Sequence, residues 1–369
     1  MSGGSGRRHI PFESTRAQMK TSKDALAGGR EPQGSVRIND VAQRAGVSVG
    51  TVSHTINHPE LVKERTRLAV EQAIEELGFV PNQQARVVAG ATSQVIGLVV
   101  LDVVSPFFMA AAKAVERAAR EAGYVVILCS SDSDPRMETQ LLSMLAAQRV
   151  RGVLLTPAST RKSSQADRRR RLGTPLVYLD FENSRDDCSV TVDDVEGGRL
   201  AIRHLLDTGH ERFAFVGRGG GLRQHQDRAR GARQALNDAG LDPSSCMVEV
   251  TQPGMGIQDG VAAADQLLKK DLPTGIFCGN DMMAFGVYRG LNRAGVKVPD
   301  DVALVGYDDI DFAADWVVPL TSVRQPTDEL GYRAAQLLFS HTAGEPDHEH
   351  SQVVLQPELI VRASTRTGS

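Results

Sequence analysis

Cysteine and aromatic residues are scarce in this chain. Of its 369 residues, four are Cys and one is Trp, and the aromatic types together make up 5%. The cysteines are far apart and form neither a Cys-x-x-Cys pair nor the Cys and His spacing that is typical of zinc sites. We therefore expect no disulfide framework, no metal site and reduced thiols at Cys129, Cys188, Cys246 and Cys278.

Long hydrophobic runs are absent as well. No run approaches the roughly 18 apolar residues that a membrane span requires, and the N-terminus lacks the apolar stretch of a secretory signal. We therefore expect a cytoplasmic protein with no membrane partner.

The chain also has no Gly-x-Ser-x-Gly elbow between a strand and a helix, no His-Glu-x-x-His and no Walker loop. No catalytic residue and no cofactor are predicted.

Charge of one sign is not in large excess, but its distribution is uneven. The net charge is −3 overall. Residues 1–92 contain 12 Lys and Arg against 9 Asp and Glu, and the remainder contains 30 against 36. The basic excess lies in residues 1–35, which are rich in Gly, Ser and Arg and show little periodicity. We interpret this segment as a disordered basic leader that adds non-specific attraction to phosphates or has no role.

Residues 40–57 have the pattern of two helices joined by a tight turn. Val41 and Ala45 lie at helical spacing, Gly46 supplies the backbone freedom that the turn needs, and the Ser48 hydroxyl can cap the second helix. A third helix is predicted over residues 64–77. This order is typical of a helix-turn-helix, whose second helix reads base edges from its N-terminal end. The candidate DNA-contacting residues there are Ser48, Val49, Gly50, Thr51, Ser53, His54 and Asn57.

A short tether follows over residues 81–90, beginning with a Pro and ending with a Gly. A helix of this length is marginal in water, because isolated helices below about 12 residues do not recover the free energy cost of nucleation. We expect it to fold only when it is bound.

From residue 93 onward, short apolar runs alternate with amphipathic stretches. This alternation predicts βαβ units and parallel sheets that are covered on both faces. The strands are too many for one modest sheet, so an α/β fold of two doubly wound lobes with a cleft between them is favoured. The predicted strands are 95–100, 125–129, 153–156, 176–179, 213–216, 275–278 and 302–306, and the amphipathic stretches between or beside them are 108–121, 137–148, 201–206, 228–239 and 282–291.

Ligands of such sheets bind beyond the carboxyl ends of the strands. Aromatic, carboxylate, amide and guanidinium groups occur there, which is the chemistry of a sugar-type pocket. The structural alternatives are core packing for Phe107 and Phe108 and a turn role for Asp308. The residues concerned are Ser105 to Phe108, Asp180 and Phe181, Arg228 before a helix, Asn280 and Asp281, and Tyr307 to Asp309.

The glycine-rich loop at residues 217–222 invites a dinucleotide-binding interpretation. It fails because Leu222 occupies the position where the fingerprint requires Gly or Ala. The arginines in and after this loop leave open an anionic effector such as a sugar phosphate, or else a solvated basic face. An enzyme and a stand-alone sugar-binding module are the competing function classes, and neither needs a helix-turn-helix. These arginines are Arg218, Arg223, Arg228 and Arg230.

The headpiece and tether resemble those of the lactose-repressor (LacI/GalR) family of bacterial transcription regulators, and the similarity extends from Val36 to about Arg362. The resemblance implies a helix-turn-helix domain at 36–80, a hinge helix and linker at 81–92, and a two-lobed effector-binding and dimerisation core at 93–369. It implies a homodimeric repressor on a palindromic double-stranded operator, controlled by a sugar-like molecule that acts as inducer or corepressor.

The resemblance also assigns further site residues. Met255 and Thr327 match effector-contacting positions that vary with the ligand. The other effector-contacting positions are matched by the pocket candidates Phe107, Phe108, Asp180, Arg228, Asn280 and Asp308. In the hinge, Asn82, Ala85 and Val88 match DNA-contacting positions. The chain departs from the family at His54, where Arg is common, and at Arg37, where Thr caps the first helix, so Asn39 or Asp40 is expected to cap instead.

The hinge residue Val88 occupies a position where the family usually has a Leu that is wedged into a central base step. Substituting Val88→Leu should tighten operator binding, because the longer side chain restores a deeper wedge. Fluorescence anisotropy with labelled operator would measure this at one fixed salt concentration. Unchanged or weaker affinity would contradict the assignment of Val88 as the wedge.

Overall fold

The computed structural model describes residues 36–81, 93–159, 172–182, 187–342 and 349–365. These residues belong to two compact units, the first comprising 36–81 and the second beginning at 93. The predicted leader and the hinge residues Asn82, Ala85 and Val88 lie outside the described residues and stay predictions.

Three helices form the first unit: α1 (Ile38–Ala45), α2 (Val49–Asn57) and α3 (Glu64–Leu77), with a 3-10 turn at Pro59–Leu61. Gly46 ends α1 in the left-handed conformation at φ 67°, which its lack of a side chain permits. Val41, Val52 and Val70, one from each helix, are fully buried in a common core. The α2 and α3 boundaries match the helix-turn-helix prediction.

The two helices of the turn motif are capped differently at their N-termini. The backbone N–H of Arg37 donates to the Asp40 carboxylate at 2.7 Å, so Asp40, not Asn39, stabilises the start of α1. The Ser48 hydroxyl accepts the backbone N–H of Thr51 at 3.1 Å and caps α2 as expected. Residues 46–50 have Gly-x-Ser-x-Gly spacing, but they lead from one helix into the start of the next and not from a strand into a helix.

The second unit contains two six-stranded sheets, each in its own lobe. In the first lobe the strand order is β11-β5-β4-β3-β1-β2, and all neighbouring strands are parallel. Its elements are β1 (Val95–Val100), α4 (Pro106–Glu121), β2 (Val125–Ser130), α5 (Pro135–Ala147), β3 (Val153–Leu155), β4 (Leu176–Leu179), β5 (Cys188–Val192), α12 (Thr327–Thr342) and β11 (Gln352–Leu355).

In the second lobe the strand order is β12-β10-β9-β8-β6-β7, and only β12 is antiparallel to its neighbour. Short helices lie at Pro243–Cys246 (α8) and Phe312–Asp315 (α11), and a 3-10 turn at Ala363–Thr365. The other elements are α6 (Asp194–Asp207), β6 (Phe213–Arg218), α7 (Arg223–Asp238), β7 (Met247–Gln252), α9 (Ile257–Leu267), β8 (Gly275–Cys278), α10 (Asp281–Arg293), β9 (Ala303–Asp308), β10 (Thr321–Arg324) and β12 (Glu358–Ile360).

The chain crosses between the lobes three times, after β5, after β10 and after β11. The prediction of two doubly wound lobes is therefore confirmed, but the strands β5, β7, β10, β11 and β12 were not predicted. Among the described residues, no helix has the length and apolar character needed to cross a membrane.

Helices α6 and α7 pack unusually closely, because glycines lie where they meet. A Cβ on Gly231 would overlap the carbonyl oxygen of Val195, and a Cβ on Gly198 would overlap the carbonyl oxygen of Arg228. This close approach brings the start of α6 next to the middle of α7, where Arg228 lies.

Substituting Gly231→Ala should lower the free energy of unfolding by about 1–3 kcal/mol, because the added methyl group forces two packed backbones apart. Chemical denaturation would measure the change. Gly219→Ala is the matched control, since a Cβ there would meet its nearest neighbour at an ordinary 3.6 Å. Equal stability of the two variants would contradict the packing argument.

Candidate functional site

The outward face of α2 carries the residues predicted to contact DNA. Val49, Gly50 and His54 are exposed, whereas Thr51 and Ser53 are half-buried. Val49 can make only apolar contacts and Gly50 has no side chain, so His54 is the exposed polar group of this face.

Two other predicted DNA-contacting residues already have partners within the headpiece. The Ser48 hydroxyl is engaged in capping α2 and also lies 2.9 Å from the Thr51 hydroxyl. The Asn57 side-chain amide donates to the Ser53 hydroxyl at 3.4 Å. These contacts hold the helix face in a fixed arrangement, so it is presented to a partner with little loss of side-chain entropy.

A small cavity of about 30 Å³ lies between the lobes of the second unit, at the carboxyl ends of β1, β4 and β9. Thr327 does not line it: this residue begins α12, and its backbone N–H donates to the carbonyl of Gln325 at 2.8 Å. The structure brings the other seven predicted effector-site residues together around the cavity: Phe107, Phe108, Asp180, Arg228, Met255, Asn280 and Asp308.

A buried ion pair lies at the back of this cavity. The Arg228 Nε donates to Asp194 Oδ1 at 2.7 Å, and an Arg228 terminal nitrogen donates to the Gly279 carbonyl at 2.5 Å. The guanidinium also lies over the Tyr307 ring, 3.6 Å from its centre, and the Tyr307 hydroxyl donates to the same Asp194 oxygen at 2.9 Å. Burial opposes the charge of Arg228, but the Asp194 carboxylate outweighs this effect and raises the pKa of Arg228.

Two aspartates of the cavity adopt left-handed backbone conformations, at φ 53° for Asp180 and φ 103° for Asp308. Such strain in residues other than Gly is concentrated at functional sites. The Gln224 side chain donates to the Asp180 carboxylate at 3.1 Å, and the Gln325 side chain donates to Asp308 at 2.7 Å. Burial raises the pKa of Asp180 well above its usual value and that of Asp308 to about 7.

Several lining residues also support the fold. Asn280 caps α10 by accepting the Met283 N–H at 2.8 Å, and it donates to the Met255 carbonyl at 3.1 Å. Phe107 and Phe108 contact each other edge to face at 5.1 Å and belong to the buried core of the first lobe. The packing alternative and the pocket interpretation of these rings are thus both consistent with their place.

Sequence reasoning missed Gln224 and His225, which also line the cavity. The backbone N–H of Arg218 donates to His225 Nδ1 at 2.8 Å, and burial lowers the pKa of this imidazole well below its usual value, so the ring is neutral. Both residues precede Arg228 by one helical turn on α7. The periodicity of the helix was the signal that could have placed them on the same face.

The arginines that favoured an anionic effector are already engaged. Arg228 pairs with Asp194, Arg223 pairs with Glu182, and Arg230 pairs with Asp227 at 2.5 Å. Arg218 donates to the carbonyl of Pro253 at 3.1 Å. Because carboxylates neutralise three of these four cations, the positive potential available to a phosphate is reduced.

Two family models match the chain. Residues 37–82 match "Bacterial regulatory proteins, lacI family", and residues 202–365 match "Periplasmic binding protein-like domain". The ribose operon repressor of Escherichia coli (strain K12) is 37% identical over 332 residues, covering 89% of this chain and 99% of that protein.

Solved structures agree with these matches. The lac repressor dimer bound to operator and the anti-inducer ONPF has a TM-score of 0.79 at 26% identity, over 90% of this chain and 99% of that one. A LacI family regulator from Enterococcus faecium with bound ribose has a TM-score of 0.67 at 30% identity, over 73% of this chain and 98% of that one. The relatives named here are transcriptional regulators. From its helix-turn-helix, its two-lobed core and these similarities, the chain belongs to the LacI family of bacterial regulatory proteins.

Proposed function

We propose that this protein is a transcriptional repressor that binds a palindromic operator as a homodimer and is controlled by a small sugar in the cavity between its lobes. The observation that carries the proposal is the presence, in one chain, of a capped helix-turn-helix and a cavity lined by buried polar groups. A sugar-binding module alone would not need the first, and a simple DNA-binding domain would not need the second. Because its target is chromosomal DNA, we place the protein in the cytoplasm, where it acts as a regulator and not as an enzyme.

Base reading is assigned to the N-terminal half of α2. His54 donates or accepts at a base edge, Val49 makes apolar contact, and Gly50 lets the helix approach closely. Thr51, Ser53 and the remaining polar residues of the motif contact phosphates and set the register. The hinge at 81–92, with Asn82, Ala85 and Val88, follows this domain and enters the minor groove at the operator centre.

Dimer formation is supported by the exposed apolar edge of the first lobe. Strands of parallel sheets are normally buried on both faces, yet Val125, Ile127 and Leu128 on the edge strand β2 are exposed. Met144 on the neighbouring helix α5 is 63% exposed. A second copy of the chain would cover this surface, and its two-fold symmetry would match that of a palindrome.

A monosaccharide is the favoured effector. Its hydroxyls would hydrogen-bond Asp308, Asp180 and Arg228, and its apolar face would pack against Phe107 or Phe108. The ribose operon repressor and the ribose-bound regulator are similar to this chain over most of their lengths, so D-ribose is the first ligand to test. Met255, which lines the cavity, would adjust the specificity, whereas Thr327 lies outside the cavity and is assigned no contact with the ligand.

The contact between Gln224 and Asp180 offers a route from ligand to DNA. Gln224 lies on α7 of the second lobe and donates to both the backbone carbonyl and the carboxylate of Asp180 in the first lobe, at 2.7 and 3.1 Å. A sugar that hydrogen-bonds this carboxylate competes with Gln224 and changes the angle between the lobes. Ligand and operator affinities are then coupled, by about 1–3 kcal/mol in a typical case.

Sequencing of genomic fragments captured by the purified protein, at one stated salt concentration, tests the DNA-binding part of the proposal. We expect a palindromic motif, because two headpieces bind two half-sites. Substituting His54→Ala should relax one base position in each half-site and preserve the palindrome. Absence of an enriched motif would contradict the assignment as a sequence-specific regulator, and a non-palindromic motif would contradict the dimer.

The effector site is tested by the pH dependence of ribose binding. Asp308 is protonated below and ionised above a pKa of about 7, and the ionised carboxylate is the stronger acceptor for sugar hydroxyls. Affinity should therefore rise by about tenfold between about pH 6 and about pH 8. In Asp308→Asn, which cannot ionise, ribose should bind more weakly and independently of pH, whereas operator binding without sugar is unchanged.

Isothermal titration calorimetry at several pH values measures these affinities. The other titratable groups around the cavity are Asp180, Asp194, His225 and Arg228. An unchanged pH profile in the variant would assign the titration to one of these groups instead of Asp308. Loss of both ribose and operator binding would indicate misfolding and would be recognised by a lowered melting temperature.

A further inference from the structure

A second group of chemically reactive side chains lies in the first lobe, away from the cavity. Cys188 is fully buried, His341 is half-buried and His350 is exposed, and one ligand atom from each lies within 4.8 Å of the others. The Cys188 Sγ and the His350 Nδ1 are 3.6 Å apart. Cys188 is 162 positions from His350 along the chain, so the spacing in the sequence gave no sign that this thiol joins the two histidines.

The sheet topology explains how the cluster forms. Cys188 begins β5 and His350 precedes β11, and these two strands are parallel neighbours. The backbone N–H of Ser189 donates to the carbonyl of Ser351 at 3.0 Å, which fixes the register at this end. His341 lies in the last turn of α12, which packs against β4 and β5. The cluster is therefore at the amino ends of the strands, at the edge opposite to the effector cavity.

The distance between the ligand atoms of Cys188 and His350 suits a tetrahedral transition-metal ion. Zinc binds a thiolate at about 2.3 Å and an imidazole nitrogen at about 2.0–2.1 Å, so tetrahedral geometry separates these two ligand atoms by about 3.5 Å. The observed separation of Cys188 Sγ and His350 Nδ1 is 3.6 Å. One thiolate and two imidazoles favour zinc or cobalt over calcium or magnesium, which prefer oxygen ligands.

The surroundings provide access and negative charge. An open cleft of about 340 Å³ is lined by His341, His350 and the buried Asp187, next to Cys188 in the chain. We propose that Cys188, His341 and His350 bind one Zn²⁺ ion, with a water molecule from this cleft as the fourth ligand and Asp187 partly neutralising its charge. The ion would join the end of α12 and the start of β11 to β5 and so stabilise the first lobe.

The test uses the full chain and Co²⁺ as a spectroscopic probe for zinc. Titration of the metal-free protein with Co²⁺ should produce a thiolate-to-cobalt charge-transfer band that saturates at one equivalent and is removed by Zn²⁺. Cys188→Ser should abolish the band. His350→Gln, at an exposed position, should weaken Co²⁺ binding by more than the roughly 10–100-fold that loss of an outer-sphere partner costs.

Cys129→Ser is the matched control, because Cys129 is a half-buried thiol of the same lobe on β2. It should leave the band and its saturation unchanged. Zn²⁺ should also raise the melting temperature of the wild type and of Cys129→Ser, but not of Cys188→Ser. No band with the wild type, or a band that persists in Cys188→Ser, would overturn the proposal. Neither measurement involves operator or sugar, so its outcome is independent of the regulatory function.

Discussion

The ion pair between Arg228 and Asp194 is the interaction on which the two-lobed core most depends. Asp194 begins α6 directly after the first crossing between the lobes, and Arg228 lies in the middle of α7. Both side chains are almost completely buried, at 5% exposure each. Removing one partner of such a pair typically costs about 3–5 kcal/mol, because the other charge is left buried and uncompensated. The pair therefore fixes the second lobe against the connection that leads to the first.

This constraint is built from small residues and from an aromatic ring. Gly198 and Gly231 allow α6 and α7 to approach closely enough for the pair to form. Tyr307, at the end of β9, covers the guanidinium with its ring and donates its hydroxyl to Asp194. The next residue is Asp308, so the same strand end that completes the ion pair also places a carboxylate in the cavity. Two adjacent residues thus have different roles: Tyr307 stabilises the ion pair, and Asp308 lines the cavity.

The elements that could be predicted from the sequence are those with a strong local pattern. The apolar run of β1 and the periodicity of α3 agree with the structure to the residue. Strand β7 was missed because Glu, Thr and Gln interrupt its apolar residues at the edge of the sheet, and β5 because Ser and Thr interrupt its apolar residues. Strands β11 and β12 have only three or four residues each and are recognisable as strands chiefly through their partners in two different sheets.

The sequence by itself determined the helix-turn-helix, the α/β alternation and the residues that follow each strand, because these depend on periodicity, capping and turns within a few neighbouring positions. Only the tertiary structure decided which of those residues meet. It brought seven predicted residues to one cavity and left Thr327 outside it. It also engaged Arg228 with Asp194 and brought Cys188 close to His350. Such contacts join distant parts of the chain across strand order and lobe crossings, which local patterns do not encode.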